Sequence, residues 1–223
     1  MSDCPHCAGF GWLRVEGNAA RRCRCRDPRQ SDEALRLALR SAGLEPDELR
    51  SALTPWDESA QPRPERVLAW GRRIAEGDDD APPFVVLFGL NGRGKTKAAA
   101  MTTAAYLRAG GTGALFVNAP EAVSRVMRER FDRELTRSPY EKRILGAHLL
   151  VLDELGAERE GYRAATVEDW IRHRHRRRRP TLITTNAPEL DALGDGRVAS
   201  RLGEAYQLEL VSEADYRDFR LDG

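Results

Sequence analysis

Two groups of residues have the types and spacing to do chemistry. Residues Gly89 to Thr96 read G-L-N-G-R-G-K-T and satisfy G-x-x-x-x-G-K-[ST], the pattern of a loop that wraps a nucleotide's phosphates. Gly89, Gly92 and Gly94 let the backbone curl until successive N–H groups aim at one anion. Leu90, Asn91 and Arg93 fill the variable positions, and the candidate ATP-binding set runs from Gly89 through Lys97. Lys95 is spaced to reach the β- and γ-phosphates, and Thr96 to place its hydroxyl on Mg²⁺. The second group is Asp153-Glu154, which closes the apolar run Leu149-Leu-Val-Leu152. Asp153 is the candidate Mg²⁺ ligand, acting through its water shell, and Glu154 the candidate group that polarises attacking water.

These residues need rigid supports. Phe84–Phe88 is an apolar run that reads as a buried strand entering the glycine loop, and the Ala-rich stretch from Lys97 reads as the helix leaving it. Further strands are expected at Ala114–Asn118, at Leu149–Leu152, at Thr181–Thr185 and at Gln207–Val211. Strands alternating with helical segments imply a parallel sheet covered on both faces. Asn186, at the tip of the Thr181–Thr185 strand, is a candidate to orient water with its amide; its alternative is a loop-capping residue ahead of Ala187-Pro188. Likewise the glycine loop alone can be a turn, and a carboxylate pair can cap a helix. Context favours the nucleotide reading of both.

All four cysteines fall near the start, as Cys4-Pro-His-Cys7 and Cys23-Arg-Cys25. Between them, Gly11–Val15 and a Glu-Gly-Asn turn signal read as a hairpin that brings the pairs together. Paired cysteines without a secretory signal favour metal over disulfides, and four thiolates suit tetrahedral, structural Zn²⁺. His6 is an alternative ligand, and redox disulfides are the alternative chemistry.

From residue 26 to residue 63 the chain is rich in Pro, Asp, Glu and Arg. Ser31–Arg40 reads as a short amphipathic helix with Leu35 and Leu39 on one face, and Gly43 and Pro46 punctuate the chain beyond it. A helix over Glu65–Glu76 carries Val67, Trp70 and Ile74 on one stripe. The domain reading is a zinc hairpin over 1–28, a linker with short helices over 29–63, and an ATPase core over 64–223.

A net charge of +1 argues against a coat of non-specific nucleic-acid contacts but leaves room for local basic patches. Only Lys95, Lys97 and Lys142 are lysines among 36 basic residues, so single arginines carry little information. Two stretches stand out. Residues 119–145 read as helical, with Arg125, Arg128, Arg130, Arg133 and Arg137 interleaved with acids; Phe131 and Tyr140 are candidates to stack on bases. Arg172–Arg179 holds six arginines in eight residues, and Arg172, Arg174 and Arg176 are candidate DNA or subunit contacts. Arg197 and Arg201 lie in Arg197-Val-Ala-Ser-Arg201-Leu, where an arginine can act on a neighbouring subunit's nucleotide. No stretch has the apolar length to span a bilayer, and no secretory leader is visible, so a cytoplasmic protein without a membrane partner is expected.

With these elements in order, the chain resembles the bacterial and phage helicase-loader ATPases of the DnaC/DnaI type, within the AAA+ superfamily. The resemblance rests on Cys4–Trp12 (CPHCAGFGW), Cys23-Arg-Cys25 and Ala42-Gly43-Leu44. It continues through Gly89–Thr96, Leu149–Glu158 (LLVLDELGAE), Thr181–Asn186 (TLITTN), Arg197–Leu202 (RVASRL) and Asp215-Tyr216-Arg217. It implies a five-stranded parallel sheet in order 5-1-4-3-2 with no C-terminal lid. It implies an N-terminal module that grips a DnaB-type hexameric helicase, and a core that binds ATP and single-stranded DNA and self-associates through the ATP site. By position Asn186 resembles sensor 1 and Arg201 the arginine finger, with Arg197 its neighbour. Asp153-Glu154 departs from the Asp-Asp common in this family and favours hydrolysis. The competing readings are a transposition helper ATPase of the IstB type, a small-molecule P-loop kinase, and a zinc-ribbon DNA-binding adaptor whose ATPase is vestigial.

Overall fold

The structure is a computed structural model. It describes residues 12–15, 19–22, 32–58, 63–133, 136–156, 161–186 and 206–209. Strands β1 (Trp12–Val15) and β2 (Ala19–Arg22) form an antiparallel hairpin with Trp12 opposite Arg22 and Val15 opposite Ala19. This is the hairpin expected between the cysteine pairs; Cys4, Cys7, Cys23 and Cys25 themselves lie outside the described residues.

Helix α1 (Asp32–Ser41) opens on Asp32 and Glu33 and closes on Arg40, charges that complement its dipole, and it buries Leu35 and Leu39. The sequence reading has only punctuation after it. The structure instead turns at Gly43 and starts a second helix, α2 (Pro46–Leu53). Proline suits the first helical position, where its missing N–H has no intrahelical partner to lose. Gly43 is required twice over: its φ is +95°, and a Cβ there would sit 2.8 Å from the Phe116 carbonyl oxygen. That approach lets the Phe116 N–H donate to the Ala42 carbonyl at 2.6 Å. Helix α3 (Glu65–Ala75) buries Val67 and Trp70 as their spacing implies, and the Trp70 indole N–H donates to the Pro82 carbonyl at 2.8 Å.

Strand β3 (Phe84–Phe88) leads through the glycine loop into α4 (Lys95–Arg108). Then come β4 (Ala114–Asn118), α5 (Ala119–Arg133), α6 (Pro139–Gly146), β5 (Leu149–Leu155), α7 (Gly161–Arg176), β6 (Thr181–Thr185) and β7 (Tyr206–Glu209). The four central strands are parallel in the order β4-β5-β6-β3, and β7 pairs in parallel with the other edge of β3. Numbering from β3, the four central strands run 1-4-3-2 outward, as the resemblance implies. The expected lack of a lid falls on residues outside those described.

Period-two alternation splits the strands between two cores. Val85, Leu87, Phe116, Leu149, Val151 and Leu182 face one cluster, built with α1, α2, α3 and α4. Phe84, Val86, Leu115, Val117, Leu150, Leu152 and Ile183 face the other, built with α5, α6 and α7. The α1–α2 stretch, read from sequence as linker, contributes Leu35, Leu39, Leu44, Leu49, Ala52 and Trp56 to the first cluster. All the strand tips that matter for chemistry therefore lie at one end of a sheet buried on both faces.

Candidate functional site

The glycine loop has the backbone its sequence calls for. Gly89, Gly92 and Gly94 all have positive φ, at 139°, 76° and 78°. Gly94 is the N-cap of α4 in the left-handed region with no side-chain cap, so the first N–H groups of α4 face the loop's concavity. Lys95 is buried, and its ammonium donates to the carbonyls of Gly89 at 2.8 Å and Leu90 at 2.7 Å. Leu90 points outward and is 68% exposed.

Thr96 follows on α4, and its hydroxyl lies 3.0 and 3.1 Å from the two carboxylate oxygens of Asp153 on β5. The Thr184 hydroxyl on β6 donates to the same carboxylate at 2.6 Å and accepts the Glu154 N–H at 3.0 Å. Asp153 is only 4% exposed. Burial pushes its pKa up to about 6; the hydroxyls of Thr184 and Thr96 oppose that shift, and the charges of Glu154 and Glu48 add to it.

Glu154 is handled differently. The pairing of β5 with β6 slips between Leu152 and Leu155, and Glu154 takes φ 60°. A non-glycine residue in the left-handed region is strained, and such strain persists where the surroundings over-determine it. The slip turns the carboxylate of Glu154 out of the sheet, exposed, where it accepts the Asn118 side-chain N–H at 2.9 Å. Asn118 ends β4, and its oxygen accepts the Glu121 N–H at 3.2 Å, capping α5.

Beside them lies an open cleft of about 220 Å³, lined by residues Asn91–Lys97, by Glu154, Thr184 and Asn186, and by Asp47, Glu48 and Ser51 of α2. The structure thus brings together Gly92, Gly94, Lys95, Thr96, Asp153, Glu154 and Asn186 as the sequence implies. Lys97 also borders the cleft, but its ammonium donates to the Pro55 carbonyl at 2.8 Å and lies 5.8 Å from the Trp56 ring, clamping the segment after α2 onto α4. Arg197 and Arg201 lie outside the described residues. Sequence reasoning misses Thr184, Asn118 and Glu48. A threonine in a strand reads as a β-former, an asparagine at a strand end as a turn residue, and an acid in a helix's first turn as dipole compensation.

The donor set fits Mg²⁺ with a polyphosphate. The Thr96 hydroxyl and the Asp153 carboxylate are hard oxygen ligands already within hydrogen-bonding distance of each other, and the loop beside them offers N–H groups and an ammonium to anions. Among the described residues no group of three or more His, Cys, Asp or Glu side chains is arranged to hold a metal, and no helix is long and apolar enough to cross a membrane.

The basic candidates separate by burial. Arg174 is wholly buried and corrects the expectation of a DNA or subunit contact. Its guanidinium donates to the Thr181 hydroxyl and to the carbonyls of Ile144, Ala147 and Pro180, at 2.9, 2.9, 2.9 and 2.7 Å. It ties the C-terminal end of α6 to the start of β6. Burial, with a lesser push from Arg179, lowers its pKa to about 9, so it stays charged at neutral pH. Arg130 and Arg137 pair with Glu141, which is fully buried and also accepts the Trp170 N–H. Arg172 pairs with Asp169 at 2.6 Å, and Arg125 pairs with Glu129 while lying 3.9 Å over the Tyr140 ring. Arg176 and Arg128 are exposed, as is Phe131 at 87%.

No protein-family model and no curated protein matches the chain. Solved structures do. The crystal structure of DnaI aligns with a TM-score of 0.57 at 20% identity, covering 78% of this chain and 95% of that one. The crystal structure of the DnaC helicase loader aligns with a TM-score of 0.55 at 25% identity, covering 72% of this chain and 93% of that one. AMPPCP-bound DnaA from Aquifex aeolicus aligns with a TM-score of 0.60 at 13% identity, covering 78% of this chain and 53% of that one. The chain has the α/β AAA+ fold, and the solved structures it resembles include DnaI and the DnaC helicase loader.

Proposed function

We propose that this chain is a cytoplasmic, ATP-dependent replication factor that binds a DnaB-type hexameric helicase and helps place it on single-stranded DNA. The observation that carries the reading is the convergence of Lys95, Thr96, Asp153, Glu154 and Asn186 at one sheet end. The fold shared with a DnaC helicase loader supports it.

The roles follow from position. The α4 N-terminus and Lys95 grip the phosphates. Thr96 and Asp153 hold Mg²⁺, which neutralises charge on those phosphates. Glu154, with its carboxylate exposed in the cleft, accepts a proton from water, and the Asn186 amide orients that water. Arg201 reaches the nucleotide of a neighbouring copy, which makes hydrolysis depend on self-association. Cys4, Cys7, Cys23 and Cys25 hold Zn²⁺ in an N-terminal module over 1–28 that carries the helicase contact. Residues 64–223 are the ATPase core.

The test is co-purification of the full chain with a DnaB-type helicase, with and without ATP. Recovery of the helicase with ATP, weakened by Lys95→Ala, is expected. Recovery of a transposase in place of the helicase would turn the assignment to the IstB-type helper, and unchanged recovery and activity in Lys95→Ala would turn it to the adaptor with a vestigial ATPase.

A further inference from the structure

Several charged groups of the cleft have no part in the roles above, and one of them is a partly buried carboxylate. Glu48, in the first turn of α2, lines the same cleft as the glycine loop. Its Oε2 is one of the few buried side-chain polar atoms among the described residues without a hydrogen-bond partner. A desolvated carboxylate oxygen left unpaired is costly, and it stays buried only where something else fixes it. Here α2 is fixed from two sides. Leu49 and Ala52 are buried in the cluster beneath α4, and Lys97 holds the Pro55 carbonyl just past the helix end.

Helix-dipole compensation does not account for this placement. Asp47 occupies the same first turn and is exposed, as such a residue ordinarily is, whereas Glu48 is only partly exposed and has an oxygen shut away from water. Glu48 also lies close enough to Asp153 for its charge to act on that carboxylate. Two carboxylates held near one another beside a phosphate-binding loop repel phosphates unless a cation lies with them.

We propose that Glu48 is a positioning residue on the cation side of the nucleotide cleft, which makes nucleotide binding depend on the divalent cation and ties α2 to occupancy of the site. This rests on the reading that the cleft takes a magnesium nucleotide. With the cation held by Thr96 and Asp153, the Glu48 carboxylate adds attraction. Without the cation, the same carboxylate adds repulsion to the phosphates. Because Glu48 sits on α2, whose buried face packs with α4, a cation in the cleft adds a further tie between the two helices.

The experiment measures binding of a fluorescent ATP analogue to the full chain in excess Mg²⁺ and in EDTA. The proteins are the wild type, Glu48→Gln, Glu48→Ala, and Glu45→Gln as a control that removes an exposed charge outside the cleft. The magnesium-to-EDTA affinity ratio of the wild type is expected to fall by about tenfold in both Glu48 variants, mainly through tighter binding in EDTA, and to be unchanged in Glu45→Gln. Ratios within twofold of wild type in both Glu48 variants overturn the proposal while leaving the cleft's assignment standing. No binding by the wild type under either condition overturns that assignment itself, and this proposal with it.

Discussion

The side-chain amide of Asn118 donates to the carboxylate of Glu154 at 2.9 Å, so the end of β4 holds the group proposed above to accept a proton from water. The bond steers the Glu154 carboxylate toward β4 and occupies one of its oxygens. The same asparagine caps α5 through its oxygen. Removing it therefore has two separable effects. Asn118→Ala is expected to raise unstimulated ATP hydrolysis by about tenfold and to cost about 1 kcal/mol through the lost cap. Asn118→Asp keeps a capping oxygen but sets a like charge against Glu154, so it should free Glu154 with a smaller stability loss. Phosphate release and urea denaturation on both variants check this. A fall in basal hydrolysis in both would show that Asn118 aligns Glu154 for catalysis and does not restrain it.

Asp153 makes a pH prediction with a definite sign. Its pKa is raised from 3.8 in the unfolded chain to about 6 in the fold, chiefly by burial. The folded state therefore keeps a proton that the unfolded chain has released. The contribution of Asp153 to stability is greatest below about pH 4 and is lost as pH rises to about 6, a loss of about 3 kcal/mol at neutral pH. Asp153→Asn removes the buried charge and keeps an oxygen for the hydroxyls of Thr96 and Thr184. At pH 7 it should melt higher than wild type, with the difference vanishing near pH 4. It should also lose the further stabilisation that magnesium and ATP give the wild type. Thermal melts across pH, with and without the ligands, decide it; a variant that melts lower than wild type at pH 7 refutes the account.

How much of the fold and the cleft is legible in the sequence depends on where the information sits. Gly89–Thr96 and Asp153–Glu154 are local patterns, each carrying its own strand or helix, and the structure joins them through Thr96 and Asp153. The covered sheet is legible because Leu149–Leu152 is a short, bounded apolar run and Thr181–Thr185 a short, bounded run rich in β-branched residues. Helix α2 is not, because Pro46 reads equally well as a break and as a first helical residue. Glu48 and Asn118 acquire their roles only when α2 and β4 are brought against the glycine loop and β5, and no spacing along the chain encodes that.

Arg174 shows the same limit from the other side. Within a run of six arginines it is indistinguishable from its neighbours, yet the period of α7 turns it inward onto three carbonyls and a threonine hydroxyl. Truncating it strands those acceptors and leaves a large cavity. Arg174→Ala is expected to destabilise the protein by about 3–5 kcal/mol. Arg176→Ala, at an exposed position, should stay within about 0.5 kcal/mol. Denaturant titration measures both. If Arg174→Ala remained as stable as wild type and lost only DNA affinity, the buried role would be wrong.

The exposed pair Arg128 and Phe131, three residues apart on α5, is the best-formed candidate contact for single-stranded DNA. A residue spacing of three puts a guanidinium and a ring side by side on one helix face, where one can pair with phosphate while the other stacks on a base. Arg125 is less available, since it is engaged with Glu129 and the Tyr140 ring. Phe131→Ala should weaken binding of a homopyrimidine oligonucleotide by about 1–3 kcal/mol with little change in salt dependence. Arg128→Ala should instead flatten the slope of log affinity against log salt by somewhat less than one unit, because one phosphate contact is lost. Fluorescence anisotropy at several salt concentrations separates the two. Equal, salt-independent losses in both variants would mean that this face of α5 serves a protein partner and not the nucleic acid.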